Sequence, residues 1–127
     1  METSIKKQSI LIVQTSGIRE PKRTYAPLYL AITAAAMDIE ASIWFMMEGV
    51  TILKRGAAEK IELVADSGVN LRTWLDRARR DSVKFMVCAQ AMEAEDLTMD
   101  DLIDGCEMRG AAAIIEAVME ADKVMYF

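Results

Sequence analysis

The sequence predicts a doubly wound α/β domain built on a mainly parallel sheet of four to five strands. Three observations carry that prediction: four short apolar runs recur along the chain, they show little period-2 alternation, and the segments between them have helical spacing. Strands buried on both faces lose the polar alternation of a half-exposed sheet, as in parallel sheets whose connections are helices. Helices are therefore expected on both faces, joined by right-handed crossovers.

The apolar runs are Ser9-Ile10-Leu11-Ile12-Val13, Ser42 to Met47, Val83 to Cys88 and Asp122 to Phe127, each rich in β-branched or aromatic residues. Between the first two, Tyr25, Leu28, Tyr29, Ile32 and Ala36 follow the i, i+3, i+4, i+7 rule behind a Thr24 cap, with Pro27 in the first turn. Leu71, Trp74, Leu75 and Ala78 repeat the spacing. Arg77, Arg79 and Arg80 fill that helix's last turn, where cations suit the macrodipole. Ala111, Ile114, Ile115 and Val118 predict a final helix before the last strand. A helix from Ala89 to about Glu95 follows the third strand. A shorter one opens at Thr98, where Thr98-Met99-Asp100-Asp101 has the form of a capping box, and Gly105 is expected to stop it. Lys60 to Ser67 fits either a short strand or an apolar loop anchor, and Cys106 to Met108 is a weak fifth strand.

The chain has 127 residues, the size of one domain with one core, and is 53% hydrophobic and 28% charged. It contains no histidine, which excludes His-based acid/base chemistry, Ser-His or Cys-His pairs, and His-ligated metal. A net charge of −5 is the wrong sign for neutralising phosphates, so nucleic acid is not an expected partner. Two cysteines, Cys88 and Cys106, neither in a Cys-x-x-Cys pattern, suit a reducing cytoplasm and no zinc site. No run has the length of a membrane span, and neither a signal peptide nor an anchor is expected. Ten methionines fill core positions, and so apolar a small chain has surface left over for a subunit interface. Lys22, Arg23, Arg72, Arg77, Arg79 and Arg80 are read as solvated surface.

Ligands of an open parallel sheet gather at the carboxyl ends of its strands. The residues leaving those ends are Thr15, Ser16 and Gly17 after the first strand, Glu48 and Gly49 after the second, and Cys88, Ala89 and Gln90 after the third. Cys88 is the sharpest signal, because a thiol at the start of a helix meets unpaired backbone amides that stabilise a thiolate. The plainer alternative is a small buried residue. Glu48 either orients a substrate or complements a helix dipole. Gln90 either offers its amide to a sulfur oxyanion or is an ordinary exposed first-turn residue. Thr15-Ser16-Gly17 is a polar turn whose amides suit an anion. Cys106 is either a resolving partner for Cys88 or, as favoured here, an inert thiol on a short strand. No G-x-G-x-x-G and no G-x-x-x-x-G-K-[ST] occurs, so no nucleotide cofactor has a motif behind it, and no organic cofactor or metal is expected.

Val83-Lys84-Phe85-Met86-Val87-Cys88 with its following helix, Asp101-Leu102-Ile103-Asp104-Gly105, Gly110-Ala111-Ala112 and Glu120-Ala121-Asp122-Lys123-Val124 resemble the DsrE/DsrF-like family. Trp44-Phe45-Met46-Met47-Glu48-Gly49-Val50 with Leu53-Lys54-Arg55-Gly56 agrees, so the resemblance runs from Ile10 to Phe127. It implies a three-layer α/β/α domain assembled into oligomers, often trimers or hexamers, and a part in intracellular sulfur handling. In sulfur-carrying members a cysteine after the middle strand accepts sulfur as a persulfide or thiosulfonate and passes it to another protein, and Cys88 sits at that position. Other members lack the cysteine and serve only in assembly. The reading is therefore a cytoplasmic, oligomeric sulfur carrier or sulfurtransferase-like protein, using Cys88 with sulfur donor and acceptor proteins as partners. The alternative is a non-catalytic assembly or small-molecule-binding subunit with an inert Cys88.

Overall fold

In a computed structural model that describes residues 7–127, five strands form one parallel sheet in the order β4-β3-β2-β1-β5. They are β1 (Ser9–Gln14), β2 (Glu40–Phe45), β3 (Lys84–Cys88), β4 (Cys106–Arg109) and β5 (Lys123–Tyr126). The chain steps outward from β1 to β4 and then returns to the far side of β1, so right-handed crossovers separate the helices into two layers. Helices α1 (Tyr25–Ala36), α2 (Leu71–Arg80) and α3 (Ala89–Ala94) cover one face, and α4 (Ala111–Glu120) covers the other. The result is an α/β/α sandwich with unequal sides.

The larger core lies under α1, α2 and α3. Ile12, Ile43, Phe45, Phe85 and Val87 from alternate strand positions meet Leu28, Ile32, Leu71, Leu75 and Met92 there, all buried. Phe45 and Phe85 pack edge to face at 5.2 Å, an arrangement that contributes about 0.5–1.5 kcal/mol beyond burial alone. The smaller cluster joins Leu11, Val13 and Trp44 to Ile114, Ala117 and Val118 of α4, and α4 has no fully buried residue. Asn70 caps α2 by accepting a hydrogen bond from the Thr73 amide at 3.3 Å.

Several local expectations shift. β2 starts at Glu40 and ends at Phe45, two residues before Met47, because Met47 adopts a left-handed φ of 51° and turns the chain into a run of 3-10 turns over Met47–Leu53. Tyr25 and Tyr29, read as part of an apolar stripe, are exposed. The buried face of α1 is Pro27, Leu28, Ala31, Ile32 and Ala34, and a helix apolar on every side gives periodicity little to select from. Thr24 stands at the start of α1 without capping it by its side chain, since its hydroxyl donates to Pro21 O at 2.7 Å. Lys60 to Ser67 is the loop alternative: buried Ile61 anchors it, and a single bridge joins Glu62 to Asn70. The Thr98 capping box is formed in full, with Asp101 Oδ2 accepting from the Thr98 amide at 2.8 Å, but it encloses one 3-10 turn and not a longer helix. Gly105, at φ 90°, turns the chain into β4.

Candidate functional site

Strand register brings the three exit segments to one edge of the sheet. Gln14, Phe45 and Val87 lie side by side on β1, β2 and β3, so Thr15, Met46 and Cys88 leave the sheet as neighbours. The loops are then locked by close backbone approach. A side chain on Gly49 would strike the Gln14 carbonyl, and one on Gly17 would strike the Glu48 carbonyl, so only glycine fits at either contact. Thr51 Oγ1 ties the same loops by donating to Glu48 O at 2.7 Å and accepting from the Ile18 amide at 3.0 Å.

Cys88 ends β3 and is the N-cap of α3, with extended backbone at φ −74° and ψ 122°. Its side chain is half-buried against the edge of the larger core and unpaired with any second sulfur. By position, the amides of Ala89 and Gln90 have no carbonyl partner inside the helix. Ala89 is half-buried and Gln90 is exposed.

Glu48 is half-buried in the β2 exit, with its carboxylate 3.0 Å from Arg19 Nη1. The other guanidinium nitrogen of Arg19 lies 3.6 Å from Glu95, just past the end of α3. Glu48, and then Glu95, hold the Arg19 guanidinium above its ordinary pKa by charge attraction. Arg19 thus links the exits of β1 and β2 to the far end of α3. It escaped the sequence reading, whose only signal for it was a cation two residues past the polar turn.

Thr15 and Ser16 are placed differently from an anion cradle. The Thr15 amide donates to Phe127 O at 2.6 Å, and its hydroxyl donates to the same oxygen at 2.8 Å. Ser16 is buried, and its carbonyl accepts from Gln14 Nε2 at 3.2 Å, while the same amide group reaches Thr24 O at 3.3 Å. This segment fastens the loop to Phe127, just past β5, and to the start of α1. Gln14 Oε1, fully buried, has no partner among the described residues.

Cys106 begins β4, opposite Phe85. Burial pushes its thiol up to about 11, against a smaller pull from Arg79 and a small push from Asp104. Among the described residues no three His, Cys, Asp or Glu side chains gather as metal ligands, and no helix is long and apolar enough to cross a membrane.

The fold has solved counterparts. The ychN protein from E. coli superposes with a TM-score of 0.77 over 96% of this chain and 100% of its own, at 19% identity. MTH1491, a protein of unknown function from Methanobacterium thermoautotrophicum, gives 0.65 over 96% and 100% at 13% identity. Among sequence relatives, the sulfur carrier protein DsrE2 of Allochromatium vinosum is 21% identical over an alignment covering 96% of this chain and 99% of that protein. The uncharacterized protein MK0008 of Methanopyrus kandleri is 26% identical over 93% of each. The uncharacterized protein MJ0760 of Methanocaldococcus jannaschii is 25% identical over 87% of this chain, which spans 39% of that longer protein. The DsrE/DsrF-like family profile matches residues 8–127, and the chain belongs to that family.

Proposed function

We propose that this protein is an intracellular sulfur carrier that accepts sulfane sulfur on Cys88, as a persulfide or thiosulfonate, and hands it to a partner protein. The observation that carries the reading is Cys88 itself: a half-exposed thiol at the carboxyl end of β3 and the start of α3, in a family that includes a protein named as a sulfur carrier. In the persulfide form, the Cys88 thiolate attacks the outer sulfur of a donor persulfide. A new sulfur–sulfur bond forms, the donor's own breaks, and the donor leaves as a thiolate with no net oxidation. The amides of Ala89 and Gln90 face the negative charge first on Cys88 and then on the terminal sulfur. Glu48 and Gly49 shape the adjoining wall, and Thr15 and Ser16 support it by fixing the β1 exit. Cys106 takes no part. The carrier works in the cytoplasm by thiol chemistry without metal or organic cofactor.

The same reading includes a homo-oligomer, a trimer or hexamer. Support comes from α4, which leaves Ile115 63% and Met119 80% exposed, with Tyr126 of the edge strand β5 also exposed. Apolar surface of this kind is ordinarily covered by a partner.

The test of the carrier reading is cold cyanolysis after incubation with a small-molecule polysulfide and gel filtration. Wild type and Cys106→Ser are expected to release about one thiocyanate per chain, and Cys88→Ser none. Equal release from wild type and Cys88→Ser would contradict it and leave the non-catalytic assembly reading.

A further inference from the structure

A cavity of about 590 Å³ opens on the outer side of the α1/α2 layer, lined by Lys22, Tyr25, Tyr29, Leu63, Val64 and Trp74. It shares none of these residues with the Cys88 site. Its volume is in the range that holds a small organic ligand. Tyr25 and Tyr29 sit one turn apart on α1, and the Tyr29 ring meets the Trp74 ring of α2 edge to face at 5.9 Å, so the aromatic wall is already assembled. Both tyrosines and Val64 are exposed although α1 has a well-packed buried face of its own, so their positions owe nothing to the core.

The only charged side chain in the lining is Lys22. The polar groups comprise two phenol hydroxyls, an indole N–H and the Lys22 ammonium, with no carboxylate among the lining residues. Lys22 makes no ion pair among the described residues. A ligand that complements this set has a flat apolar body for the three rings and an anionic group for Lys22. A cationic ligand is disfavoured by the same lysine, although aromatic rings alone would suit one. We infer that this cavity is a binding site for a planar aromatic anion, such as an aromatic carboxylate, separate from the thiol chemistry of Cys88.

The chain has two tryptophans, and Trp44 lies in the smaller cluster on the opposite face of the sheet, so their indole N–H resonances report on the two sides separately. The full-length protein is titrated with 2-naphthoate and, as its uncharged counterpart, with 2-naphthylmethanol, and the indole peaks are assigned with Trp74→Phe. Saturable movement of the Trp74 peak is expected while the Trp44 peak stays still, with the alcohol about fivefold weaker than the acid. Lys22→Gln should remove that preference, and Tyr29→Ala should weaken both ligands about tenfold. Both side chains are exposed, so neither change disturbs the core. Absence of saturation, joint movement of both peaks, or equal affinity for acid and alcohol overturns the proposal. So does a Tyr29→Ala variant that dissociates in sedimentation while binding 2-naphthoate as before, because the cavity would then be a contact between copies of the chain.

Discussion

Cys88 lies opposite Arg109 across the β3–β4 ladder, whereas Cys106 lies opposite Phe85, three residues nearer the amino end of the strands. At about 3.3 Å per residue the two Cα atoms are offset by roughly 10 Å along the strands. A disulfide requires Cα atoms within about 7 Å, so the pair cannot close without tearing the ladder. Peptide mapping of the mildly oxidised monomer under non-reducing conditions is expected to contain no Cys88–Cys106 crosslink. An abundant intrachain crosslink with the fold retained would show that the register is wrong.

The two thiols should also differ in reactivity. With its thiol pushed up to about 11, Cys106 is a thiolate in less than about one molecule in a thousand at pH 7.5, and it is half-buried against the larger core. Iodoacetamide at that pH is expected to modify Cys88 at least about tenfold faster than Cys106, read from the time course of peptide masses. Equal rates would remove the distinction on which the assignment of roles depends.

Burial of Cys106 has a consequence for stability at alkaline pH. Its folded pKa is raised from 9.0 to about 11, so above pH 9 the unfolded chain releases the Cys106 proton more readily than the folded one. The contribution is complete below pH 9 and is lost as pH rises toward 11. Cys106→Ala should therefore show a shallower fall in urea midpoint between pH 9 and 11 than wild type. Parallel curves would mean that the thiol is better solvated than the fold indicates.

The loop lock can be tested by adding one carbon. Gly49→Ala drives a Cβ into the Gln14 carbonyl, an oxygen that already accepts from the Met46 amide at 2.9 Å. A loss of about 1–3 kcal/mol is expected from urea unfolding. Gly110→Ala meets nothing within 4 Å and has an ordinary φ of −94°, so it should stay within about 1 kcal/mol of wild type. Similar costs at the two positions would mean that the Gln14–Gly49 contact does not hold the loops together.

The sheet was legible where burial on both faces leaves an unbroken apolar run, as in β1 and β3. It was faint at β4, because Cys106-Glu107-Met108-Arg109 is a largely exposed edge with no pattern to read. The turn at Met47 had no sequence sign, since a left-handed φ at an exposed methionine is not announced by the residue type. The spacing through Tyr25, Leu28, Tyr29 and Ile32 identified α1, but its uniformly apolar surface concealed that both tyrosines face solvent while Leu28 and Ile32 are buried. At the candidate site, chain order was enough to bring Cys88, Glu48 and Gly49 to one edge. The Arg19–Glu48–Glu95 bridge depends on loop conformations that periodicity does not encode.

Intact-protein mass spectrometry after exposure to a sulfane-sulfur donor, on wild type, Cys88→Ser and Cys106→Ser side by side, is the most direct test of sulfur carriage by Cys88. Wild type and Cys106→Ser are expected to gain about 32 Da per sulfur, removable by reductant, while Cys88→Ser gains nothing. A wild-type protein that stays unmodified under conditions that load an established carrier, or a Cys88→Ser variant that loads as wild type does, would contradict the account.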